Sequence, residues 1–260
     1  MKKIALTSLM AILTAGAANA ANIINNNPLY RPDAGRFYNV TDIVSHSEDI
    51  DSWKLQSELG YSVSDRLMIT VATDVAERDG FSGMSWNDFA LGLNYRVLDM
   101  GAWKADVFGA YALSPVWGDH RSFLDEDDTS YKWTAGVRAG YVAGNWTLAG
   151  HVAFDYFNSE SFNWDDDGIH TLRAGVDGQL VLNPSWNLTA GVEYTGVLDD
   201  KIGGVDVDDA GRWTSIVGVN YNLDATKFVG VYATSELAHS TGDWKFKDGF
   251  GFGMKFGIDF

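Results

Sequence analysis

The sequence predicts an all-β chain, a transmembrane antiparallel up-and-down β-barrel of about twelve strands. Three observations predict it: apolar and polar residues alternate at period two through most of the chain, aromatic pairs recur at fixed even separations, and short links alternate with long ones. Segments near 36–46, 51–62, 67–76, 87–98, 103–114, 130–142, 146–157, 168–182, 186–197, 211–223, 227–238 and 249–260 carry the alternation. Their apolar residues return at every second position and not at helical spacing, so they are strands. The first segment and the phase of 227–238 are the least determined, because Phe228 and Tyr232 compete with Val229 and Val231 for the apolar face.

Alternation alone also suits a soluble sandwich, and the aromatics decide between the two. Trp53 and Tyr61, Trp133 and Tyr141, Trp186 and Tyr194, and Trp213 and Tyr221 are eight apart, while Trp146 and Tyr156, and Phe250 and Phe260, are ten apart. An even separation puts both members of a pair on one strand face. With the rise of a β-strand and the tilt of a barrel, each pair stands roughly 20 to 25 Å apart along the membrane normal. That is the height of a lipid-facing apolar band with an aromatic girdle at each rim. Between the rings the same face carries Leu55 and Leu59, Leu188 and Val192, Val217 and Val219, and Phe252, Met254 and Ile258. A soluble sandwich has no reason to end such faces with amphipathic rings at a fixed height.

The links supply the orientation. Short ones fall at 62–66, 99–102, 143–145, 183–185 and 224–226, rich in Gly, Asn, Asp, Ser or Pro. Longer ones fall around 77–86, 115–129, 158–167, 198–210 and 239–248. Short turns on one side and long loops on the other are the asymmetry of a transmembrane barrel, and an even strand count returns both barrel ends to the short-turn side.

Composition removes several alternatives. After the first residues no run approaches 18 consecutive apolar positions, which excludes a helical membrane protein. A formal net charge of −16 without a basic stripe excludes nucleic acid as a partner. Cysteine is absent, which suits passage through an oxidising compartment. Residues 1–20 read as a cleavable secretory signal: Met1, Lys2 and Lys3 lead an apolar run from Ile4 that ends in Ala18-Asn19-Ala20.

Beyond that signal the chain resembles the Gram-negative outer-membrane β-barrel proteins over essentially its whole length. Its size and strand count are most similar to the small twelve-stranded porin-like channels, and no motif points to a particular subfamily or solute. The last segment alternates Phe250, Phe252, Met254, Phe256, Ile258 and Phe260, which is similar to the family's recognition signal for the outer-membrane insertion machinery. The resemblance implies the bacterial outer membrane as location and passive diffusion of small hydrophilic solutes as activity, with no cofactor and no catalytic role. It implies as partners outer-membrane lipid and lipopolysaccharide, the insertion machinery and periplasmic chaperones. The oligomeric state is not written in any motif. Residues 21–35 then form a periplasmic N-terminal leader, either loose or folded into the lumen as a small plug, and residues 36–260 form the barrel.

If the aromatic face meets lipid, the opposite parity points inward. The expected pore lining is Lys54, Glu58, Asp88, Arg96, Lys104, Asp106, Lys132, Arg138, His151, Asp155, Arg173, Asp177, Glu193, Arg212, Glu236 and Lys255, joined by Asp74 and Asp259. Arg or Lys on the lipid side at midplane costs roughly 2 to 4 kcal/mol, so the shared parity of these charges supports the register. Gly136, Gly140, Gly175, Gly191, Gly218, Gly251, Gly253 and Gly257 interleave with them and suggest unfilled, wet volume. The inward charges are nearly balanced in sign, which leaves open a second reading: they pair across the lumen and close it.

Other chemistry is thin. His120 and Ser122 have the H-x-S spacing of barrel lipases and deacylases, yet they sit in a loop without a third group to orient the histidine. The remaining histidines lack metal-ligand spacing. Acidic runs at Asp125–Asp128, Asp165–Asp167, Asp199–Asp200 and Asp206–Asp209 lack the spacing and turn glycine of a Ca²⁺ loop and read as solvated. No metal site is expected.

Overall fold

The computed structural model describes residues 27–46, 53–78, 83–114, 117–118, 130–159, 168–202, 205–243, 246 and 248–260. Twelve strands build the barrel wall: β1 (Phe37–His46), β2 (Trp53–Ser62), β3 (Leu67–Arg78), β4 (Gly83–Met100), β5 (Trp103–Ser114), β7 (Ser130–Ala143), β8 (Trp146–Ser159), β9 (Ile169–Asn183), β10 (Trp186–Val197), β13 (Gly211–Asn222), β14 (Lys227–His239) and β15 (Gly249–Asp259). Three short strands lie outside the wall order: β6 (Trp117–Gly118) pairs on β4, and β11 (Lys201–Ile202) with β12 (Val205–Asp206) makes a small hairpin. Every wall strand pairs antiparallel with its sequence neighbours, and β1 pairs with β15 from Tyr38–Asp259 to His46–Gly251. That pairing closes the barrel and leaves no open edge.

Side-chain and backbone chemistry close the short turns. Gly101 and Gly144 hold positive φ values of 64° and 59°, which an L side chain adopts only with strain. The Asn183 side chain accepts from the backbone N–H groups of Ser185 (2.9 Å) and Trp186 (3.0 Å). Asp224 accepts from the backbone N–H (2.7 Å) and hydroxyl (2.9 Å) of Thr226, and these donors hold its carboxyl below the usual range. The expected long link at 77–86 is largely strand instead. β3 runs to Arg78 and β4 begins at Gly83, because backbone pairing continues through polar residues whose composition reads as loop.

The wall is inverted relative to a soluble protein. Val217 is 60% and Met254 62% exposed on the outside, while Asp155 and Arg173 are each 1% exposed within. An apolar belt of that extent is stable only against lipid. Rings gather at both of its edges. At the short-turn end Phe37 lies 4.4 Å from Tyr61, Trp103 4.8 Å from Tyr141 and Trp186 4.8 Å from Tyr221, centroid to centroid. At the long-loop end Tyr111 lies 4.5 Å from Trp133, and Tyr194 5.0 Å from Trp213. β14 settles its phase with Val229 and Val231 outward, while Phe228 and Tyr232 turn in.

β1 is the exception to the pattern. Tyr38, Val40 and Val44 are buried inside, whereas Asn39 and Thr41 face outward with Ser57 of β2. These outward groups satisfy one another: the Asn39 amide donates to the Ser57 hydroxyl (2.9 Å), and the Thr41 hydroxyl donates to Asn39 (3.0 Å).

The inward glycines do not leave empty volume, and the expectation of unfilled space is corrected. The ring of Phe228 on β14 lies over Gly257, Tyr232 over Gly253, Tyr38 over Gly60 and Phe108 over Gly136. His151 lies over Gly175, and the Asp177 carboxylate over Gly191. A Cβ at any of these positions would overlap its neighbour. Each glycine is a groove in the wall that lets a side chain from the adjacent strand lie flat.

Candidate functional site

The lumen is the candidate site, and each strand delivers to it the residues of one parity. On β7 to β10 the charges form a continuous run. Asp155 receives Arg173 Nε (2.5 Å), Arg173 Nη2 (3.1 Å) and the Thr134 hydroxyl (2.5 Å), with Lys132 Nζ at 3.4 Å. Arg173 Nη1 stands 3.6 Å from Glu193, and His151 has Glu193 at 2.8 Å on Nε2 and Asp177 at 3.1 Å on Nδ1. Gly175 is what lets the His151 ring cross β9 and reach Glu193 on β10.

The other pairs are shorter. Lys54 meets Asp74, whose Oδ1 accepts the Asp88 backbone N–H (2.8 Å). Arg96 makes a bidentate contact with Asp106 (2.7 and 3.1 Å), and Lys104 meets Asp99 (2.9 Å) at the short-turn rim. Arg212 donates to Glu236 (3.0 Å). The Tyr38 hydroxyl donates to Glu58 (2.5 Å). Lys255 stands 4.0 Å from Asp42 and 4.5 Å from the Tyr232 ring centre, and Tyr232 donates its hydroxyl to Asp42 (2.9 Å). The Arg138 guanidinium lies 5.5 Å from the centre of the Phe108 ring.

These wall ion pairs join strands that are neighbours, or next but one for His151 and Glu193. Longer-range attraction also links strands four apart in the wall, Arg138 on β7 with Glu58 on β2 and Lys255 on β15 with Asp177 on β9. What enters the lumen is the segment before β1. Gly35 donates its N–H to the Ser62 carbonyl (2.7 Å) and the Ser62 hydroxyl donates to the Pro32 carbonyl (2.8 Å), which anchors the segment at the short-turn rim. The Tyr30 hydroxyl donates to Asp259 (2.5 Å), which Arg36 also contacts (3.2 Å). Arg31 donates to the Asn94 side chain and stands 3.7 Å from Asp106. Arg96 donates to the carbonyl of Leu29 (2.9 Å) and Arg138 to that of Pro28 (3.2 Å). Leu29 is 2% exposed.

The long-loop end is narrowed from one side. Ile202 and Val207 of the β11–β12 loop pack with Phe157, Ile169, Ala210 and Phe246 into a buried apolar cluster. The Arg212 guanidinium lies 5.2 Å from the centre of the Phe246 ring. Asp199 caps His170, accepting from its backbone N–H (2.6 Å) and facing its Nδ1 (2.9 Å). The Asp208 carbonyl accepts from Thr241 and Gly242. Among the described residues no group of His, Asp and Glu is arranged to hold a metal ion. His120, Ser122, Asp125–Asp128, Asp165–Asp167 and residues 1–26 lie outside the described residues.

Several contributors escaped the sequence reading, among them Tyr38, Thr134, Asp42, Tyr232 and Arg31. Asp42 and Tyr232 were detectable by parity once β1 and β14 had a firm phase, and Arg31 carried no signal, since its segment has no periodicity.

No protein-family model matches the chain, and no curated protein matches it. Solved structures do. An outer-membrane channel from Pseudomonas putida F1 superposes with a TM-score of 0.63 at 15% identity, covering 89% of this chain and 98% of the other. The NanC porin gives 0.60 at 6% identity, with 85% and 98% covered. The translocator domain of the autotransporter NalP from Neisseria meningitidis gives 0.61 at 12%, with 98% and 97% covered. Identities this low speak to architecture and not to cargo. The chain has the closed twelve-stranded fold of the outer-membrane porin-like barrels.

Proposed function

We propose that the protein is an outer-membrane channel for passive diffusion of small hydrophilic solutes. In this reading residues 1–20 direct export, the short turns face the periplasm, and the long acidic loops face outward toward lipopolysaccharide. The observation that carries it is the inner wall, whose charged side chains pair mostly with those of adjacent strands, while the Asp177 carboxylate and the rings of His151, Phe228 and Tyr232 lie over wall glycines. The test is single-channel recording of the purified protein in planar bilayers. Stepwise conductance that scales with salt concentration supports the channel, and insertion without conductance at several salt concentrations overturns it.

A second reading, a closed structural or surface-interaction barrel, is favoured by two observations. The inner charges are almost wholly buried, and residues 28–31 occupy the lumen near its short-turn end.

The same reading assigns Phe250, Phe252, Phe256, Ile258 and Phe260 to recognition during insertion. Phe260 exchanges backbone hydrogen bonds with Phe37 (2.8 and 2.9 Å), and their rings stack at 5.8 Å. Phe260→Asp keeps the backbone bonds and places a charge at a partly hydrated rim, where the cost to the folded barrel is roughly 0 to 1 kcal/mol. Outer-membrane levels in cells should fall while stability after refolding in detergent stays close to wild type. Unchanged surface levels would remove the residue from the recognition element.

A further inference from the structure

We infer that residues 27–32 are a tethered gate, held in the lumen by two wall arginines that read its backbone and not its side chains. The inference rests on the channel reading and adds to it the element that opens and closes the passage.

The path of the segment supports this. It is fixed at the short-turn rim by the Gly35–Ser62 and Ser62–Pro32 bonds, and from there it runs inward until the Pro28 carbonyl meets Arg138 on β7. Arg138 lies five residues inside the end of its strand at Ala143, about 12 Å below the rim for a tilted strand. The obstruction therefore sits within the passage and not merely at its edge. Asn27 pre-forms the bend at the tip: its side chain accepts from the Leu29 N–H (2.9 Å), and its carbonyl accepts from the Tyr30 N–H (3.0 Å).

The chemistry of the contacts suggests a latch that can release. Arg96 already has Asp106 as a bidentate partner, so it is positioned whether or not Leu29 is present. Its bond to the Leu29 carbonyl, like that of Arg138 to the Pro28 carbonyl, is a charge-to-neutral contact that water entering with the moving segment can replace. Arg31 and Tyr30 add contacts to Asp106 and Asp259 at the same end. No covalent bond and no β-ladder ties residues 27–32 to the wall. The Gly35 hinge, at φ 84°, marks where the tether leaves the rim.

The test uses the absence of cysteine in the chain. A single Leu29→Cys in protein refolded into lipid vesicles should react with a small water-soluble maleimide at least tenfold more slowly than Asp65→Cys in an exposed short turn. Arg96→Gln with Arg138→Gln should raise the Leu29→Cys rate severalfold. Deleting residues 27–32 should raise single-channel conductance severalfold in planar bilayers. Equal labelling of Leu29→Cys and Asp65→Cys would overturn the placement, and a deletion variant that conducts no more than the intact protein would overturn the gate. If both proteins then conduct equally, the channel reading survives without its gate, and if neither conducts, the channel reading falls as well. Should the arginine variant fail to refold, the labelling and deletion arms still decide.

Discussion

Asp155→Ala should destabilise the folded barrel by about 3 to 5 kcal/mol, the cost of leaving buried charge without its partner. Asp155 is the only carboxylate in contact with Lys132 among the ion pairs described, and it accepts two bonds from Arg173 and one from Thr134. All of the three charged groups are almost completely buried. Removing the carboxylate strands two cations facing each other across β8, with Glu193 at 3.6 Å as partial compensation for Arg173. Reversible urea unfolding in lipid vesicles measures the loss. A change below about 1 kcal/mol, the scale of a solvated pair, would show that water reaches this wall freely.

Val217→Arg should cost roughly 2 to 4 kcal/mol in the same assay, because it places a guanidinium in the middle of the lipid-facing band. Val217 is 60% exposed and lies midway between Trp213 and Tyr221 on one strand face. Leu223→Arg, just beyond the ring belt, should cost no more than about 1 kcal/mol because the headgroup region is wet. The depth dependence carries the argument. Equal penalties at the two positions would mean that the outer face meets something other than a bilayer.

Most of the wall was legible in the sequence for a simple reason. A barrel strand has one lipid face and one inner face, so ring pairs at even spacing and charges of opposite parity report the same register independently. Ends of most segments agree with the strands to within a few residues, since Asn183, Asp224, Gly101 and Gly144 mark turns by their own chemistry. β1 resisted because both of its faces are mixed, with Phe37 and Ile43 outward beside Asn39 and Thr41, and Asp42 inward beside Val40 and Val44. Val40 and Val44 pack inside, where Tyr38, Met68, Phe228 and Tyr30 form an apolar cluster, and Asn39 and Thr41 are satisfied outside by Ser57. Apolar and polar residues share each face there, so parity alone gives no sign.

The lumen was legible as a set of residues and not as an arrangement. Parity places Lys132, Arg173, Asp155 and Glu193 on one face, but which charges meet depends on inter-strand register, and that is invisible until the pairs are known. The glycines illustrate the same limit. Gly257 reads as a void along its own strand and as a groove once Phe228 is known to be its partner on β14. The segment before β1 gave least, because its deepest contacts are carbonyl oxygens of Pro28 and Leu29, a chemistry every residue shares.

The central claim is that alternate residues of each strand face lipid and lumen, and a cysteine scan along β13 tests it most directly. Single cysteines at Ser215, Ile216, Val217, Gly218 and Val219, each carrying a fluorophore in refolded protein, are read by quenching from brominated lipid. The account predicts strong quenching at 215, 217 and 219 and little at 216 and 218, with the deepest quenching at 217. Quenching without alternation, or strongest at 216 and 218, would contradict it.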